Sequence, residues 1–167
     1  MKIELRNKGF SLIELIVIIA IMGVMLAVGG YSLTAISSAN AKQCAKELEA
    51  GLISTRTQSY SRDTGTTIAK VSFYKGTDGI YMEKNYETGA VKIGGSKVTV
   101  SYKLDGNTDY VLLDANKLTF SFNRSSAAFR KATINGSSAM CESIKVSSGT
   151  KVYIITCYEH TGKTMLE

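Results

Sequence analysis

The sequence contains no proline, no tryptophan and a single histidine, and only three of its 167 residues are cysteine. One histidine excludes a multi-histidine metal site, and three cysteines exclude a scaffold built on disulfides. With no proline, the strongest helix breaker is missing throughout. Charge is also sparse. Charged residues make up 20% against 44% hydrophobic, which fits neither a disordered tail nor a multispan membrane protein. The length suits one domain and is too short for two well-buried ones. Of the net charge of +6, the first nine residues hold a third through Lys2, Arg6 and Lys8 against Glu4. The rest is a mild excess that favours an anionic partner without demanding one.

What is abundant lies at the front. Residues 1–9 are short and basic, and Phe10 to Val28 is an apolar stretch interrupted only by Ser11 and Glu14. As a helix it rises about 28 Å, roughly the hydrocarbon thickness of a bilayer. The preceding positive charge places the N-terminus in the cytoplasm and sends the remainder across once. Beyond Val28 the pattern stays helical but becomes amphipathic. Ala41, Cys44, Ala45, Leu48, Leu52 and Thr55 recur at spacings of three and four, which predicts one buried stripe. No turn signal appears before Arg62-Asp63-Thr64-Gly65, so one helix is expected from Phe10 to Ser61, about 80 Å long. Gly29-Gly30 is its weak point.

After Gly65 the composition turns to Thr, Val, Ile, Tyr and Ser with frequent glycine, the chemistry of strands and turns. Strands are expected at 67–74, 79–83, 97–102, 110–113, 117–122, 139–147 and 151–158. The fold class is α+β: a long N-terminal helix whose second half packs on an antiparallel sheet. A three-residue loop at Ser148-Gly149-Thr150 sets Ser147 opposite Lys151 and, further out, Cys141 opposite Cys157. That register makes Cys141 and Cys157 a candidate disulfide in an oxidising setting, with two reduced thiols as the alternative. Cys44 reads as a buried small hydrophobe.

Glu14 is the anomaly, because a carboxylate inside an apolar helix costs on the order of 3 kcal/mol and usually has a partner. Lys8-Gly9-Phe10-Ser11-Leu12-Ile13-Glu14-Leu15, followed by IVIIAIMGVMLA, closely resembles the N-terminal signature of type IV pilins and pseudopilins. The resemblance spans roughly residues 5–30. It implies cleavage between Gly9 and Phe10 by a prepilin peptidase and methylation of the new Phe10 amine. It also assigns to Glu14 the pairing with the Phe10 amine of a neighbouring subunit. An α-amine of pKa about 8 is largely cationic at neutral pH, so this pair would fix register, while Leu12, Ile16, Ile19, Met22 and Leu26 supply undirected cohesion. The resemblance divides the chain into a leader (1–9), a transmembrane or filament-core helix (10–30), an amphipathic continuation (31–62) and an extracytoplasmic β-rich domain (63–167). It implies further partners: other pilin subunits, an inner-membrane platform protein, an assembly ATPase, and membrane lipid before assembly. It locates the chain in the cytoplasmic membrane first and in a pilus or pseudopilus afterwards. One feature departs from the pattern of many major pilins, since Tyr31 stands where they carry a kinking proline.

No enzyme motif survives inspection, and no cofactor is expected. His160 has no nucleophile at a recognised spacing, and Ser72-Phe73-Tyr74-Lys75 lies in a strand pattern where S-x-x-K chemistry needs a helix. Asp105-Gly106-Asn107-Thr108-Asp109 opens like a calcium loop but lacks its later glycine and glutamate, so a turn is the better reading. Asn123-Arg124-Ser125 and Asn135-Gly136-Ser137 fit glycosylation sequons. Arg124 to Lys131 offers a patch for nucleic acid or another polyanion, ranked below an ordinary cationic surface. The alternative to a filament subunit is an exported soluble protein or adhesin. Its signal peptide would be cleaved after Ala41, in the A-x-A sequence Ala39-Asn40-Ala41.

Overall fold

The computed structural model describes residues 11–61 and 68–167, and within the helix it describes side chains at 11–27 and 38–61. The leader, Gly9 and Phe10 lie outside the described residues. Helix α1 runs Leu12–Ser61, close to the expected span. The chain divides into two compact units, residues 1–36 and 37–167.

In the first unit every described side chain from Ser11 to Ala27 is exposed. Leu12, Met25 and Leu26 are more than 70% accessible. Apolar residues occupy all sides of this helical stretch, the pattern of a segment whose packing surface comes from outside its own fold. Among the described residues no helix is long and apolar enough to cross a membrane; the run with described side chains ends at Ala27.

In the second unit the helical stripe is buried as its spacing predicts. Ala41, Cys44, Ala45, Leu52 and Thr55 have no exposed surface, and Leu48 retains 1%. Each buried leucine contributes about 1.5–3 kcal/mol. Among the described residues eleven strands follow the helix: β1 Lys70–Lys75, β2 Gly79–Lys84, β3 Ala90–Gly95, β4 Thr99–Leu104, β5 Val111–Leu112, β6 Leu118–Ser121, β7 Ala132–Ile134, β8 Ser137–Ala139, β9 Cys141–Ser148, β10 Lys151–Tyr158 and β11 Lys163–Leu166. They form two antiparallel sheets where one was expected, in the orders β3-β2-β1-β6-β7-β8 and β11-β10-β9-β4-β5. The split arises because β4 pairs with β9 and β5 instead of with its predecessor β3. Phe73, Ile80, Leu118, Phe120, Ile144, Val146 and Ile155 join the helical stripe in one core.

Two glycines let the helix approach the first sheet. A Cβ on Gly51 would collide with the Met82 sulfur and lie 3.6 Å from the Phe73 ring. A Cβ on Gly94 would come within 2.8 Å of the Cys44 sulfur. Gly94-Gly95 therefore sits inside β3, not in the turn that its composition suggests. Near the helix C-terminus the Tyr86 hydroxyl lies 2.9 Å from Thr55 Oγ1 and 3.1 Å from Ser54 Oγ, which ties the last turns to the loop after β2.

Candidate assembly site

The described part of the N-terminal site is a helix start. Ser11 Oγ accepts the backbone N–H of Ile13 at 3.2 Å, and the Glu14 carboxylate reaches back to accept the N–H of Ser11 at 3.0 Å. The Ser11 carbonyl takes the first helical bond, from Leu15 N–H at 3.3 Å. Serine at the cap with glutamate three residues on is a reciprocal capping box, which satisfies amides that the helix leaves unpaired. The negative side chain also complements the positive end of the helix dipole. Sequence reasoning read Glu14 as an assembly residue and missed this second role, although Ser-x-x-Glu is its signature. A shallow notch lined by Ile13, Val17 and Ile18 lies beside the carboxylate, so Glu14 is an exposed acid on an apolar surface.

The second sheet places the remaining candidates. The β9–β10 hairpin turns on two residues, Gly149-Thr150, with φ of 60° at the glycine. Ser148 pairs with Lys151 and Ile144 with Ile155. The expected register is thus displaced by one residue, because a left-handed glycine allows the tighter turn. In a regular hairpin that displacement would send Cys141 and Cys157 to opposite faces. A bulge restores the meeting: against β4, Ser143 pairs with Lys103 and Cys141 with Leu104, leaving Glu142 as the extra residue. Cys141 then shares the core face with Ile144 and Cys157, and both thiols are buried and free. The hydrogen bond to Cys157, followed by burial, holds the Cys141 thiol well above the ordinary range. Burial, aided by Glu47, pushes Cys44 up to about 12, so that thiol stays protonated at neutral pH.

Other sequence candidates are spread apart. His160 is exposed between β10 and β11. Ser72 and Lys75 lie three apart on a strand, and Ser72 Oγ is 2.8 Å from Thr119 Oγ1. Asp105-Gly106 forms a turn with φ of 85° at the glycine, and among the described residues no group of three or more acidic, cysteine or histidine side chains is placed to hold a metal. Asn135-Gly136 is the left-handed turn between β7 and β8, with φ of 49° and 80°. Ala41 is fully buried inside α1.

No curated protein and no solved structure matches the chain. The family model for the prokaryotic N-terminal methylation motif matches residues 5–30. This stretch holds Gly9, Phe10, the Ser11–Glu14 cap and the exposed apolar run as far as Ala27. Over it the chain carries the N-terminal signature of type IV pilins and pseudopilins.

Proposed function

We propose that the chain is a non-catalytic structural subunit of a type IV pilus or pseudopilus. A prepilin peptidase cuts between Gly9 and Phe10, and the freed Phe10 amine is methylated. Until assembly the apolar half of α1 anchors the chain as a single pass in the cytoplasmic membrane. It then moves into a filament, where the Phe10 amine of one subunit meets Glu14 of the next. Other pilin subunits, a platform protein and an assembly ATPase are its partners.

The methylation motif at residues 5–30 carries this reading. Two structural facts support it. The apolar side chains from Leu12 to Leu26 find no cover in their own unit, as a lipid phase followed by a helical bundle requires. Glu14 stands exposed among them, where desolvation by neighbouring helices leaves it in need of a cationic partner. The secreted-protein alternative fits less well. A cut after Ala41 would sever α1 and remove Ala41 from the core that the helix builds.

The test is expression of wild-type and Gly9→Leu chains in a host with an active prepilin peptidase, followed by intact mass measurement. The wild type is expected to lose residues 1–9 and gain a methyl group, and Gly9→Leu to keep its leader and stay in the membrane fraction. Normal maturation of Gly9→Leu, or a wild-type chain beginning at Lys42, would refute the assignment.

A further inference from the structure

We propose that a recess on the outer face of the first sheet, between the adjoining ends of β1, β6 and β7, is an oxyanion site for phosphate groups, either free or within a phosphodiester chain. The recess has a volume of about 400 Å³ and is lined by Lys70, Arg130 and Lys131 together with Ser121, Thr133 and Ser138. Among the described residues no carboxylate lines it.

Strand pairing builds the cluster. Lys70 opens β1 directly opposite Ser121, the last residue of β6. The chain then leaves the sheet and returns through the Phe122–Phe129 bridge. Arg130 N–H donates to the Ser121 carbonyl at 2.9 Å, which sets Arg130 and Lys131 across β6 from Lys70. Beyond them Thr133 pairs with Thr119 and with Ser138, and the Thr133 and Ser138 hydroxyls lie 3.3 Å apart. One of the two donates to the other, so one hydroxyl proton remains to point outward.

The cations of this recess stand outside the ion pairs of the surface. Among the described residues four ion pairs form: Lys84 with Glu87, Lys92 with Asp78, Lys103 with Glu142, and Lys117 with Glu83. None includes Lys70, Arg130 or Lys131. Three cations converging with no anion among the described residues repel one another, and the field they share concentrates a negative ligand. A guanidinium fork, two ammonium groups and neighbouring hydroxyls suit a tetrahedral oxyanion, whose several oxygens accept from all of them. A carboxylate, with one charge and two oxygens, would use fewer of these donors. Part of the mild cationic excess of the sequence is gathered here. The recess differs from the Arg124–Lys131 patch by recruiting Lys70 from a distant strand.

The test uses the full chain in nonionic detergent, with inorganic phosphate and a short fluorescent oligothymidylate as separate probes. The triple variant Lys70→Gln, Arg130→Gln, Lys131→Gln is compared with a control triple, Lys97→Gln, Lys151→Gln, Lys163→Gln, which removes the same charge from exposed positions elsewhere. Circular dichroism verifies that both variants fold. The recess variant is expected to weaken binding by about tenfold or more, and the control by no more than about threefold. Phosphate binding alone would identify a free anion as the ligand; binding of the oligonucleotide alone would identify the phosphodiester chain. Equal losses in both variants, or no binding of either probe by the wild type, would overturn the proposal.

Discussion

The Glu14 carboxylate accepts the backbone N–H of Ser11 at 3.0 Å within its own chain. The acid proposed to meet a neighbour's amine is therefore held in place before any neighbour arrives. It has a second oxygen and further lone pairs to offer. Capping and the proposed assembly role are thus separable demands on one side chain.

Glu14→Gln keeps an acceptor for Ser11 and loses the charge, whereas Glu14→Ala loses both. Both variants should still be cut after Gly9. Both should enter filaments poorly beside wild-type subunits, measured as their share of sheared filament protein. Only Glu14→Ala should also fray the helix start, at a cost of about 0.3–1.5 kcal/mol. Wild-type incorporation of Glu14→Gln would show that the cap, not the charge, is what assembly needs.

Gly94→Ala should destabilise the second unit by about 1–3 kcal/mol, because its methyl enters a space that the Cys44 sulfur already fills. Cys44→Ala vacates that space. The double variant should therefore recover part of the loss in chemical denaturation, and strictly additive losses would refute the contact.

Cys44 makes a pH prediction with a definite sign. Its folded pKa of about 12 lies above the ordinary 9.0. The thiol's contribution is then complete below pH 9 and is lost as the pH rises toward 12. Wild-type stability should fall more steeply over that window than that of Cys44→Ala. In the native chain at pH 8, iodoacetamide should label Cys44 only after denaturant is added.

Cys141 and Cys157 should form a disulfide when the chain is exported to an oxidising compartment. Mass measurement before and after reduction would register the two hydrogens. A bridge closing a loop of this length is worth about 3 kcal/mol, so Cys157→Ser should lower the unfolding midpoint of oxidised material and leave reduced material much closer to wild type. Persistent free thiols in exported protein would reject the bond.

Legibility in the sequence followed the range of the interactions. The buried stripe from Ala41 to Thr55 could be read because helical spacing is local and no proline interrupts it. Strands β1, β2, β4, β5, β6, β9 and β10 carry β-branched and aromatic residues and stand out. Strand β3 does not, because Gly94 serves a close approach to Cys44 and composition alone makes it look like a turn. The short strands β7, β8 and β11 gave too little pattern to register. The nearness of Cys141 and Cys157, both free thiols here, follows from a register one residue away from the expected one, with the bulge at Glu142 making up the difference. That bulge has no local signature, since it depends on how β9 meets β4. The Ser11–Glu14 cap is legible as Ser-x-x-Glu at the head of the apolar run. Lys70 and Lys131 meet only through sheet pairing, so no scan along the chain could have joined them.

The uncovered apolar residues at the start of α1 also govern how this protein can be handled. Purified away from a host phase, the intact chain will keep company with detergent, with bilayer or with its own copies. A version starting near Ser37 should retain the whole stripe from Ala41 to Thr55 and behave as an ordinary solute. The same cut would remove residues 5–30, which carry the methylation motif on which the proposed filament role rests.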